Sequence, residues 1–243
     1  MNFFSETYWL TWRWYKHFTK APFFIMFTII QPVFWLVLFG NLFSGIRGNY
    51  INFLTSSIIV MTVTGNSLTA GISLMFDRES KYLDRLLSSP ISRWSIVASR
   101  FVFSNFLSVL QCIVIFAIAF LMGASLPPAI GIIQMLLVSL FFGIGLVMIS
   151  LSLSFVFEEH GNFFATIGFL NLPVIFVSSA LLPLDSMPAF IRGAALLNPM
   201  TYAIEGSRAI MTGSGMPLTD VFAALAAFNV ICALAASRSM KKL

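Results

Sequence analysis

The sequence predicts an all-α fold that crosses a membrane repeatedly, and three observations carry that prediction. Apolar residues make up 58% of the chain and charged residues only 9%, against about 25% charged in a soluble domain. The apolar residues gather into six long runs, and a membrane-spanning helix needs about 20 such residues to cross about 30 Å of hydrocarbon. Lys and Arg crowd onto alternate connections between those runs, the pattern that sets orientation in a bilayer.

Residues 1–20 form a separate element. At about 100° per residue, Phe3, Phe4, Tyr8, Leu10, Trp12, Trp14, Tyr15 and Phe18 share one wide arc, and Glu6, Arg13, Lys16, His17 and Lys20 share the opposite one. Trp9 is the exception. The pattern predicts an amphipathic helix lying in the interface, aromatic side toward lipid. The chain start lacks the basic, apolar, small-residue order of a signal peptide.

Residues 21–243 are expected to form one domain of six transmembrane helices. The runs are Ala21–Phe43, Phe53–Phe76, Phe101–Gly123, Ala129–Phe157, Gly161–Leu184 and Leu218–Ser237. Pro32 and Pro173 should bend the first and fifth. Eleven of the 14 Lys and Arg fall on one side: Arg13, Lys16, Lys20, Arg78, Lys81, Arg85, Arg93, Arg100, Arg238, Lys241 and Lys242. Arg47, Arg192 and Arg208 fall on the other. Both termini and the loop 77–100 are therefore expected in the cytoplasm, which suits an even number of spans. Cys112 and Cys232 lie inside apolar runs and read as small buried hydrophobes.

The loop after the second run is the most charged segment. Residues Asp77 to Pro90 read as one short helix ended by Pro90, with Asp77 and Lys81 spaced to pair. On that helix Tyr82, Leu83, Leu86 and Leu87 form an apolar face with Glu79 in its middle. A carboxylate among leucines calls for a cation from a partner protein or a neighbour. A docking surface comprising Arg78, Glu79, Tyr82, Leu83, Leu86 and Leu87 is the expectation.

Two further polar patterns stand out. In the second run Thr55, Thr62, Asn66, Thr69 and Ser73 fall on one helical face and are candidates for a translocation path; tight helix packing explains them equally well. The segment 185–215 is too apolar for a free loop, and is expected to form short re-entrant helices acting as an outer gate. There Asn198 and Pro199 make a helix start, Thr201 and Tyr202 follow, and Glu205 and Arg208 are spaced to pair.

Three motifs in register resemble the type-2 ATP-binding-cassette (ABC) permease family, which includes multidrug, antibiotic and lipo-oligosaccharide exporters. They are Gln31-Pro32-Val33-Phe34-Trp35-Leu36-Val37-Leu38-Phe39-Gly40, Asp77-Arg78-Glu79 followed by Leu86-Leu87-Ser88-Ser89-Pro90-Ile91-Ser92-Arg93, and Asn198-Pro199-Met200-Thr201-Tyr202 with Arg208 beyond. Ser80-Lys81 departs from the small residue and Thr common after the family's Glu. The resemblance implies an exporter subunit in the plasma (cell inner) membrane, moving an amphipathic, lipidic or drug-like substrate. It implies two copies of a cytoplasmic ABC ATPase as partners, with ATP and Mg bound there and no cofactor on this chain. It also implies a second permease half, as homodimer or heterodimer.

Catalytic chemistry is missing from the sequence. No phosphate-cradling Gly-x-x-x-x-Gly-Lys-Ser/Thr occurs, nor His-Glu-x-x-His, Gly-x-Ser-x-Gly or a paired-cysteine metal motif. Glu158-Glu159-His160 are adjacent on a chain where adjacent residues do not converge, so no metal site is expected. No Asp, Glu, Lys or Arg lies near the middle of a run, which argues against the alternatives of an ion- or proton-coupled secondary transporter and an intramembrane hydrolase. A non-transporting scaffold remains the other alternative, and nucleic acid is not an expected partner.

Overall fold

The computed structural model describes residues 2–43, 50–157 and 159–240. Arg47, Glu158, Lys241 and Lys242 lie outside the described residues, as does the side chain of Leu87. The described residues contain helices and no strand. In chain order the α-helices are α1 (Phe3–Thr19), α2 (Pro22–Phe43), α3 (Tyr50–Glu79), α4 (Tyr82–Leu87), α5 (Arg93–Leu121), α6 (Ala129–Val156), α7 (His160–Phe176), α8 (Ala189–Leu197), α9 (Pro199–Thr212) and α10 (Leu218–Met240).

Five of them are long and apolar enough to cross a membrane: Ile25–Phe43 of α2, α3, α5, α6 and Leu218–Ser239 of α10. The fifth apolar run is where expectation and structure part. It yields α7, only 17 residues and so about 25 Å long. The Ser178 hydroxyl bonds the Ile175 carbonyl and then accepts from the Ala180 amide, so the chain turns before Pro183.

Helix α3 is the centre of the bundle, packed chiefly on α5, α6 and α9. Its contact with α6 is made by small residues, which let backbones approach closely. Gly71 donates its amide to Ser150 Oγ at 2.9 Å, and the same hydroxyl bonds the Leu68 carbonyl. Gly145 of α6 lies under Phe228 and Asn229 of α10, where Asn229 Nδ2 donates to the Phe141 carbonyl at 2.9 Å. The outer faces of α2, α7 and α10 expose Phe23, Phe27, Phe34, Phe169, Phe176 and Ile231, surface that in water would be insoluble and in lipid is matched.

Helix α1 lies along α5, with Leu10 and Phe18 buried. Its orientation corrects the sequence reading. Glu6 is buried and Arg13 half-buried, both turned into the protein, while Lys16, His17 and Lys20 remain exposed. Phe4, Tyr8, Trp9, Trp12 and Tyr15 point outward together, so Trp9 is no exception. Of the polar arc only Glu6 and Arg13 turn inward, because α5 and α3 offer them hydrogen-bonding partners.

Candidate functional site

The segment 77–90 is not one helix. Helix α3 runs through Glu79 and stops because Lys81 takes a left-handed backbone, φ 53°. Helix α4 then starts on a new axis. That break overturns the placement of Glu79 among the leucines. Leu83 and Leu86 face inward, into a core with Leu10, Leu74 and Ile96, and Glu79 projects outward with 68% of its side chain exposed. Its neighbour is His160 of α7, whose Nε2 lies 3.4 Å away. Arg78 instead reaches the end of α6 and donates to the Phe157 carbonyl at 3.2 Å. The tip of the elbow exposes Glu79, Lys81, Asp84 and Arg85.

Asp77 does not pair with Lys81. It is 4% exposed and binds two arginines from distant parts of the chain. Arg13 Nη2 donates to both carboxylate oxygens at 2.7 Å, and Arg100 Nη2 donates to Oδ2. Aromatic rings cover both guanidinium groups: Tyr82 lies 3.9 Å from Arg13 Cζ and Trp14 lies 4.1 Å from Arg100 Cζ, a cation–π distance. This cluster joins α1, α3, α4 and α5 at one point. The sequence reading counts Arg13 and Arg100 toward orientation, and Arg13 also in the polar arc of α1, and misses the cluster.

A second clasp holds the far end of the elbow. Glu6 Oε2 accepts from the Ser92 amide at 3.1 Å and from the Ser95 hydroxyl at 2.7 Å. A carboxylate is favourable there, at the positive end of α5. The Ser95 hydroxyl first and the Ser92 amide second hold the Glu6 carboxyl below its ordinary value. Glu6 and Arg13 lie two turns apart on one face of α1, so this helix grips the elbow on both sides.

The polar line on α3 divides. Thr55, Thr62 and Asn66 are buried. The two threonines bond carbonyls of their own helix, and Asn66 donates to Ser108 and Gln111 of α5. These three belong to helix packing and do not line an open face. Thr69 is exposed and Ser73 half-buried. On the same helix, a Cβ added to Gly65 would meet nothing within 4 Å.

At the opposite end, Asn198 caps α9 by accepting from the Met200 amide at 3.0 Å and anchors it to α7 by donating to the Val174 carbonyl at 2.7 Å. Pro199 occupies the first turn. Thr201 is buried, and the Tyr202 hydroxyl donates to the Leu196 carbonyl at 2.9 Å. Arg208 is 5% exposed. It donates to Glu205 at 2.5 Å, to Ser57 of α3 at 3.2 Å and to the Ser179 carbonyl at 2.9 Å, with Phe53 under its guanidinium at 3.7 Å. Among the described residues no group of acidic, His and Cys side chains could hold a metal ion.

A family model described as ABC-2 type transporter matches residues 5–212, a stretch containing the elbow, both charge clasps and the Arg208 cluster. The chain belongs to the ABC-2 type transporter family. The protein ycf38 of Porphyra purpurea, classed as a transport permease, is 41% identical over 209 residues, covering 83% of this chain and 72% of that protein. Its counterpart in Cyanophora paradoxa is 35% identical over 240 residues, covering 94% and 81%. The daunorubicin resistance ABC transporter permease DrrB1 of Streptomyces coeruleorubidus is 24% identical over 212 residues, covering 84% and 74%. As an ABC-2 permease the chain is a membrane transport subunit, and permeases of this family work with a cytoplasmic ATPase.

Proposed function

We propose that this ABC-2 permease is the membrane half of an ATP-driven exporter in the plasma membrane, moving an amphipathic, lipidic or drug-like substrate outward. The observation that carries the reading is the elbow at Ser80–Tyr82. It is clasped to the bundle by Asp77 and Glu6 and presents Glu79, Lys81, Asp84 and Arg85 at its tip. A rigidly held charged tip suits a docking surface that transmits movement. ATP and Mg bind on two copies of the ATPase, and this chain lends them the elbow. The names of relatives such as DrrB1 support a drug-like cargo.

On this reading the elbow, α1 and both termini face the cytoplasm, in agreement with the Lys and Arg distribution. Helix α7 completes a sixth crossing together with the turn at 177–180, and α8 and α9 re-enter from the outside as a gate closed by Arg208. A second copy of the permease covers the open stripe of α3 at Gly65, Thr69 and Ser73, so that the path runs between two halves and Thr69 and Ser73 line it.

The test is coupled turnover in a reconstituted complex of permease and cognate ATPase. Glu79→Gln removes the tip charge and leaves the fold untouched, because the side chain is exposed. Losing one member of a desolvated interfacial charge pair costs about 2–5 kcal/mol, so substrate-stimulated hydrolysis should fall at least about ten-fold while membrane insertion is unchanged. Wild-type coupling in Glu79→Gln and in Lys81→Glu alike would remove the elbow as the docking site.

A further inference from the structure

The clasp at Asp77 carries more positive charge than it can use. Two guanidinium groups share one carboxylate, and Arg100 is 2% exposed. Four buried donor nitrogens around it have no acceptor among the described residues: Arg13 Nε, Trp14 Nε1, and Arg100 Nε and Nη1. Trp14 sits between the two cations, 5.0 Å from Arg13 Cζ and 4.1 Å from Arg100 Cζ. Buried donors are almost always paired, and a surplus buried cation is costly without a counter-ion. Arg13 forms the entrance, with 35% of its side chain exposed. Beside it the outward face of α1 carries Trp12, Tyr15, Lys16 and Lys20, an aromatic and basic surface of the kind that sits at lipid headgroups.

We propose that Arg13, Trp14 and Arg100 form a binding site for a phosphate-bearing anion, supplied by the headgroup of an acidic lipid in the cytoplasmic leaflet. A phosphate group offers several acceptor oxygens to donors that lack them, and its charge balances the second guanidinium. The lipid source rests on the reading of α1 as a cytoplasmic interfacial helix; the anion chemistry rests on the clasp alone. Bound there, the lipid ties α1 to α5 at the root of the elbow.

The test uses the full chain, purified and delipidated in detergent. Native mass spectrometry should show phosphatidylglycerol retained in preference to phosphatidylcholine, and phosphatidylglycerol should raise the melting temperature more than phosphatidylcholine does. Arg13→Gln should weaken phosphatidylglycerol binding about five-fold, the effect of one basic group near an acidic lipid. Arg192→Gln, on the opposite end of the molecule, should leave it unchanged. Asp77→Asn frees both guanidinium groups and should make the rise in melting temperature larger than in wild type. Equal retention of the two lipids by the wild-type chain, with no stabilisation by inorganic phosphate, overturns the proposal even if a variant fails to fold, and so does an Arg13→Gln protein that binds phosphatidylglycerol as wild type does. Stabilisation by inorganic phosphate with no preference for phosphatidylglycerol overturns the lipid source and the placement of α1 in the leaflet, and leaves the anion site standing. Stabilisation by added ATPase with no response to either lipid or phosphate also overturns the site, by assigning the counter-ion to the partner.

Discussion

The Ser95 hydroxyl donates to Glu6 Oε2 at 2.7 Å, so a carboxylate near the beginning of the chain closes the N-terminus of a helix that starts almost ninety residues later. The Ser92 amide joins it at 3.1 Å. The bond fixes where α1 lies and gives that contact a defined pH dependence. The folded-state value of Glu6 is depressed below the ordinary 4.5. Its contribution to stability is therefore complete above the ordinary value and is lost as pH falls through the folded one. Protection of the α1 amides, taken relative to the intrinsic exchange rate at each pH and followed from pH 7 downward, should begin to fall below about pH 4.5 in the wild-type protein. Glu6→Gln should exchange faster at neutral pH and lack the acid step.

Asp77→Asn leaves Arg13 and Arg100 without a carboxylate in a buried setting. Removing one partner of a buried ion pair costs about 3–5 kcal/mol, and denaturation in detergent without acidic lipid should show a loss of that order. Asp84 is exposed on α4, and Asp84→Asn should stay within about 0.5 kcal/mol of wild type.

Two glycines of α3 should respond oppositely to the same change. A Cβ on Gly71 would lie 2.5 Å from the Ser150 carbonyl oxygen, which is backbone and cannot step aside. Gly71→Ala should destabilise by about 1–3 kcal/mol. Gly65 has open space around it, and Gly65→Ala should hold or raise the melting temperature, since alanine favours the helix by about 0.5–1 kcal/mol. A fall in transport by Gly65→Ala without loss of stability would locate the second permease half or the substrate against this stripe.

Glu205→Gln should cost about 3–5 kcal/mol, because Arg208 would stay charged and buried with only Ser57 and the Ser179 carbonyl for partners. The exposed pair of Arg192 and Asp185, 3.4 Å apart with side chains 50% and 91% exposed, offers the contrast. Asp185→Asn should shift the denaturation midpoint negligibly.

What the sequence discloses and what it conceals divide along the range of the interactions. The long helices announce themselves through composition, and the Asn198 cap through two adjacent residues, because both are decided locally. The partners of Asp77 lie 64 and 23 residues away, and within a run of charges nothing marks it as the buried one. Glu79 is misplaced for a different reason. The left-handed residue that breaks the helix is Lys81 rather than a glycine or asparagine, the types that usually take that conformation, so periodicity carries across a break it cannot register. The short α7 is hidden because Ser178, an ordinary residue in an apolar run, turns the chain well before the proline.

Helix α3 is one unbroken piece from Tyr50 to Glu79, 30 residues or about 45 Å. The half of it that begins at Tyr50 is pinned where Arg208 holds Ser57 and where Asn52 Oδ1 accepts from the Ser125 amide. A tilt about those pins would make it a lever with Asp77 near its tip, about 30 Å beyond Ser57 at 1.5 Å per residue. Each degree of tilt sweeps that tip through about 0.5 Å, so that roughly 10° displaces it by a full helical turn of about 5.4 Å. Small angular play at one membrane face would thus become a stroke at the other large enough to exchange one set of side-chain neighbours for the next.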